Sequence, residues 1–113
     1  ASISWDQGGT KVSLHCDSLI RDRSGRIIDL AATEEWLVES LRSSDSSVQI
    51  VALHWGDEYV QAPSATQRRL ARLLIENGAS LILGHHPHVV QPVEQIGSGL
   101  VAYSLGNFLF DQN

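Results

Sequence analysis

Between residues 48 and 84 the chain runs through two short apolar stretches separated by one amphipathic segment, and histidine follows each stretch. Val48 to His54 (Val-Gln-Ile-Val-Ala-Leu-His) is β-branched and nearly continuous in apolar character. That is the pattern of a strand buried on both faces of a parallel sheet. Ser80 to Gly84 (Ser-Leu-Ile-Leu-Gly) repeats it. Between them Pro63 and Ser64 open a helix, and Ser64 with Gln67 fits a capping box. Leu70, Ala71, Leu73 and Leu74 supply its apolar face, and Asn77-Gly78 a left-handed stop. A strand, a helix and a strand close as a right-handed crossover with the strands parallel. Both strands therefore end on one edge of the sheet, the edge where open α/β folds bind ligands.

The rest of the chain fits around this unit. Lys11 to Cys16 alternates and predicts a strand after a turn at Asp6-Gln7-Gly8-Gly9. Thr33 is a suitable N-cap, with Glu34 and Glu35 in the first turn. Trp36, Leu37, Ser40 and Leu41 then recur at helical spacing until the Ser43–Ser47 cluster. Leu100 to Ser104 predicts a third buried strand, with Gly97-Ser98-Gly99 as a hairpin turn. The expected fold is α/β with a mostly parallel sheet. At 113 residues the chain holds one small domain, residues 1–113, and not two.

Composition removes several functional classes. A net charge of −5, with the only basic cluster (Arg68, Arg69, Arg72) on a helix, argues against a nucleic-acid partner. The single Cys16 excludes an internal disulfide and a four-cysteine zinc site, and its apolar run predicts a buried structural thiol. No apolar stretch approaches the roughly 20 residues that span a bilayer. Membrane association would come only through segments not in this chain, and no signal segment is visible. Trp5 and Trp36 are expected to pack, and His15, in mid-strand, to be structural.

Chemistry concentrates at the shared edge. One strand ends in His54-Trp55-Gly56-Asp57-Glu58 and the other in Gly84-His85-His86-Pro87-His88. Neighbouring strands lie about 5 Å apart, so side chains from both loops can reach one metal ion, where Zn–N distances are about 2 Å. In an extended segment alternate side chains share a side, which groups His86 with His88 and turns His85 away. Pro87 stiffens the segment. His86 and His88 are the expected metal ligands, with His85 supporting them or facing substrate, while His54, alone at its strand end, also fits a satisfied structural residue. Asp57 is an acceptor for a second imidazole nitrogen, although Asp57-Glu58 also fits a solvated loop pair. Trp55 and Tyr59 line a pocket or cap the core. A serine nucleophile finds little support: there is no Gly-x-Ser-x-Gly elbow, and Ser104 lacks its first glycine. Cys16 has no electropositive neighbourhood, and Gly97-Ser98-Gly99 is short of a phosphate-cradling loop.

The order of these pieces is specific. His54-Trp55-Gly56-Asp57-Glu58-Tyr59, Pro63 and Gln67, Gly84-His85-His86-Pro87-His88-Val89, Gln91-Pro92 and Glu94, and Tyr103-Ser104-Leu105-Gly106-Asn107-Phe108 follow one another over residues 48–111. The set resembles the bacterial CapA capsule-synthesis (poly-γ-glutamate biosynthesis) family, whose fold is similar to the calcineurin-like metallophosphoesterases. The resemblance implies a fragment of a four-layer α/β sandwich with divalent metal ions (Mn, Zn or Fe), possibly two, at the sheet edge. His54, His86 and His88 are its implied metal ligands and His85 and Asp57 its implied catalytic groups. Trp55, Glu58, Tyr59 and Asn107 are implied substrate contacts. Asn107 is equally a turn-forming residue, because Phe108 stands where an Asn-His pair would have its histidine. The fold's earlier motifs have no counterpart here, which implies a missing N-terminal half or self-association. Two functions are compatible with the resemblance: a metal-dependent phosphoester hydrolase component, or a non-catalytic component binding or exporting an anionic polymer. Either implies an extracytoplasmic place in the cell envelope.

Overall fold

The computed structural model describes residues 2–18, 30–55, 62–85 and 91–105; for residues 17, 18, 30–32 and 85 it describes the backbone alone. The strands β1 (Ser2–Gln7), β2 (Thr10–Ser18), β3 (Val48–His54), β4 (Leu81–His85), β5 (Val93–Ile96) and β6 (Gly99–Ala102) form one sheet in the order β1-β2-β3-β4-β6-β5. β2, β3, β4 and β6 are parallel, and β1 and β5 flank them as antiparallel edges. Helix α1 (Leu30–Ser43) connects β2 to β3, and α2 (Ala65–Glu76) connects β3 to β4. The mostly parallel α/β sheet and its βαβ unit are as expected.

Local chemistry sets the boundaries. At the start of α2 the Ser64 Oγ accepts from the Gln67 N–H at 3.1 Å, and the Gln67 Oε1 accepts from the Ser64 N–H at 2.8 Å. At its end Asn77 donates through Nδ2 to the Leu73 carbonyl, and Gly78 adopts φ +122°. α1 begins at Leu30, so Thr33 lies inside the helix and is not its N-cap. Leu30, Ala31 and Ala32 are among the best helix formers and extend the helix upstream of the polar residue. The serine cluster does end it, with the Ser43 hydroxyl folded back onto the Glu39 carbonyl at 2.8 Å.

Periodicity does not predict β1 or β5, two short edge strands whose existence depends on hairpins. Gly8 and Gly9, at φ +57° and +90°, make the two-residue turn that pairs Ser2–Gln7 with β2. Gly97, at φ +57°, does the same between β5 and β6.

Burial on β3 alternates: Gln49, Val51 and Leu53 are buried, while Val48, Ile50, Ala52 and His54 are partly exposed. The expected burial on both faces is therefore not observed. The two crossovers step the same way along the sheet, and right-handed connections then put both helices on one face. There Leu37 and Leu41 of α1 and Leu70, Ala71 and Leu74 of α2 close over Val51, Leu53, Ile82 and Val101. Among the described residues no element covers the other face. Its edges expose Ile3 (61%), Trp5 (39%), Val93 (66%) and Leu100 (45%), which the strand register places beside Leu14, Val12, Ala102 and Leu81. Trp5 is thus a surface residue of that face, and Cys16 is exposed rather than a buried thiol. Trp36 packs against the core from α1, as expected.

Candidate functional site

The register of the parallel strands decides what meets at their C-terminal ends. Ser18 of β2 is opposite His54 of β3, and His54 is opposite His85 of β4. Hydrogen-bonded strands are about 4.8 Å apart, so the backbones of His54 and His85 stand side by side on one edge. The crossover argument required this juxtaposition. His54 is partly exposed on the uncovered face. His86, His88, Asp57, Glu58, Tyr59 and Asn107 lie outside the described residues, and His85 is described by its backbone only. Among the described residues, no three metal-ligating side chains converge.

Directly beneath the edge is a platform that pattern reasoning did not assemble. The Trp55 indole N–H donates to the Tyr103 carbonyl at 2.8 Å, and the two rings stack at 5.9 Å with 18° between their planes. Gly84 sits against that bond: a Cβ there would be driven into the Tyr103 carbonyl oxygen and the Trp55 Nε1. Only hydrogen at this position lets β4 pass the bonded pair. The Gly84 carbonyl accepts from Leu105 N–H at 3.1 Å, and the Ser104 carbonyl accepts from Gln91 N–H at 3.2 Å. The Tyr103 hydroxyl donates to Glu94 at 2.6 Å. Burial first, and the Glu94 carboxylate second, push that phenol well above its ordinary range, so it stays a neutral donor. Arg68 lies over the ring at 5.6 Å and 3.8 Å from Glu94.

These contacts sort the ordered motif by role. Trp55, Gly84, Glu94 and Tyr103 hold the strand ends in place from below, and Gln67 starts the helix between them. Trp55 is 1% exposed and belongs to the core cluster. Of its two expected roles, capping the core fits that position. Arg68 and Arg69 are exposed as expected, yet each is engaged, Arg68 on Tyr103 and Arg69 with Glu34 of α1 at 2.6 Å. The signal that could have found the platform was the partnering chemistry of buried Trp and Tyr, whose polar atoms need acceptors and donors. The chain separation of 48 residues between Trp55 and Tyr103 hid which partners they use. His15 is buried on β2 and bonded to Gln49 at 3.0 Å.

Residues 5–112 match a family model described as bacterial capsule synthesis protein PGA_cap. The chain is 48% identical over 67 residues to the PGA biosynthesis protein CapA of Bacillus subtilis (strain 168), covering 59% of this chain and 18% of that protein. It is 44% identical over 71 residues to the capsule biosynthesis protein CapA of Bacillus anthracis, covering 63% and 17%. A crystal structure of a novel phosphatase from Mycoplasma pneumoniae superposes with a TM-score of 0.71 at 13% identity, over 93% of this chain and 35% of that one. A hypothetical protein from Thermus thermophilus superposes at 0.63 and 19% identity, over 93% and 38%. The chain thus spans less than a fifth of these curated relatives, and its fold is phosphatase-like.

Proposed function

The chain belongs to the bacterial capsule synthesis protein family PGA_cap, and from that premise we propose that it contributes half of a metal-dependent phosphoester-hydrolysing site in capsule biosynthesis. The observation that carries this reading is the pairing of His54 with His85 across β3 and β4. It brings His54 and the backbone of His85 to one edge, next to the Trp55–Tyr103 platform, and a site there would need such support to hold ligands in place. A donor set of imidazoles suits Zn or Fe, and Mn would need carboxylate or water oxygens beside them. His54, His86 and His88 would hold the ion, and a second ion would need carboxylates supplied from elsewhere. When bound, divalent ions supply positive charge that polarises a phosphoryl oxygen. Asp57 would accept from the outer nitrogen of a ligating imidazole and hold its orientation. His85 would give a proton to the leaving oxygen. Glu58, Tyr59 and Asn107 would contact the substrate, whereas Trp55, buried in the core cluster, would not.

The family description favours a second reading, a non-catalytic component that binds or exports an anionic polymer. Metal-dependent turnover by the complete protein, abolished by chelator, separates the two. In both readings the protein works at the cell envelope. No described helix is long and apolar enough to cross a membrane. The uncovered sheet face is where a missing N-terminal half, or another copy, would pack.

Titration calorimetry with Zn²⁺ or Mn²⁺ tests the ligand set. His54→Ala, His86→Ala and His88→Ala should each lower affinity at least about tenfold. His85→Ala should cost less, and His15→Ala should leave binding unchanged. Loss of metal on His15→Ala with retention on His86→Ala and His88→Ala would overturn the shared-edge reading.

A further inference from the structure

The helix-covered face carries a second polar assembly, separate from the strand ends. His15 is opposite Val51, three residues before His54 on β3, on the face that the helices cover. Its proton positions follow from one carbonyl. The Leu41 carbonyl can only accept, so Gln49 donates to it through Nε2 at 3.0 Å and turns its Oε1 toward His15. Oε1 can only accept, so His15 carries its proton on Nε2 and donates across 3.0 Å. With a neutral ring the lone pair is on Nδ1, which accepts from the Ser2 hydroxyl at 2.7 Å. Ser2 is exposed while His15 and Gln49 are buried. A cavity of about 290 Å³ adjoins them, lined by Ser2, Ser4, Ser13, His15, Ser40 and Ser44 among others.

A hydroxyl donating to an unprotonated imidazole nitrogen, with the other nitrogen held by an oriented acceptor, is the arrangement of an activated serine nucleophile. We propose that Ser2 is such a nucleophile, with His15 as its base and Gln49 as a positioning residue, and that the cavity takes small activated acyl esters. Ser2 Oγ bonds to the acyl carbon as its proton passes to His15 Nδ1. The ester C–O bond then breaks, and the leaving alkoxide takes that proton. Water reverses the sequence: its oxygen bonds to the acyl carbon as His15 takes its proton, the Ser2 Oγ–acyl bond breaks, His15 returns the proton to Ser2 Oγ, and the acid departs. Gln49 holds the tautomer but brings no charge to the imidazolium, so activated esters are expected to react and amides are not.

A fluorophosphonate probe on the purified protein, with adducts mapped by mass spectrometry, tests this. Ser2 should be labelled on the order of 100-fold faster than Ser4, which is exposed two residues along the same strand, given what a positioned base contributes. Ser2→Ala should abolish the adduct without lowering the melting temperature. His15→Ala should lose the adduct and regain part of it with added imidazole. Gln49→Leu removes the acceptor for the His15 Nε2–H and should lose labelling about tenfold or more, on the scale of an orienting partner. Equal labelling of Ser2 and Ser4, or no adduct on Ser2, overturns the proposal. So does unchanged labelling of Ser2 in Gln49→Leu.

Discussion

The two faces of this one sheet share strands but differ in what covers them. On the helical side Val51, Leu53, Ile82 and Val101 are sealed by Leu37, Leu41, Leu70 and Leu74. On the other side Ile50, Ala52, Leu81 and Leu83 alternate with them along the same strands, equally apolar, yet remain partly exposed. Composition cannot distinguish the faces. Connection geometry does, because right-handed crossovers that advance in one direction place their helices on one side. Apolar character thus records that both faces are meant to be covered, and the crossovers record which is covered within these residues.

That contrast can be broken by experiment, beginning with the largest effect. Leu74→Ala on the covered face should cost about 2–5 kcal/mol in urea unfolding, whereas Leu100→Ala on the open face should stay within about 0.5 kcal/mol. Comparable losses would mean that the open face is covered after all. Gly84→Ala should cost about 1–3 kcal/mol, because the added methyl group forces apart the Trp55–Tyr103 bond that supports the histidine edge. A tolerated alanine, with unchanged near-ultraviolet circular dichroism, would remove the platform from the account.

Tyr103→Phe should cost about 1 kcal/mol at neutral pH through loss of its bond to the partly exposed Glu94. It should also alter the alkaline limb of stability. The folded phenol is raised above its unfolded pKa of about 10, so above that pH the unfolded chain loses a proton that the folded chain keeps. Stability should therefore fall as pH rises beyond about 10, and Tyr103→Phe should flatten that fall. An unchanged slope would show that Tyr103 ionises freely. The smallest stability change is expected from Val93→Lys with Leu100→Lys, within about 0.5 kcal/mol. Its effect should appear in sedimentation instead: self-association of the parent at micromolar concentration should be lost in the double variant. A compact parental monomer would mean that the open face does not pair with a second copy.

The βαβ unit was legible because its signals are local. The capping box at Ser64 and Gln67, the stop at Asn77-Gly78 and the apolar runs on either side each act within a few residues. The pairing of His54 with His85 was legible for the same reason, since two parallel strands joined by one helix must end together. Where local signals compete, the reading erred. Thr33 is a good cap, but Leu30, Ala31 and Ala32 propagate the helix past it. Trp5 and Cys16 have core composition but sit on the open face.

Local pattern was therefore enough to set the fold class, the parallel pair and the edge to which histidine is delivered, because period and turn chemistry are properties of neighbouring residues. Which face stays open, and why Gly84 has no side chain, emerged only when the elements packed. So did the way Ser2 comes to share a hydrogen bond with one His15 nitrogen while Gln49 holds the other. Those outcomes depend on registers and packing between segments separated by 13 to 48 residues. A pattern confined to one segment carries no record of which distant partner will satisfy its polar atoms.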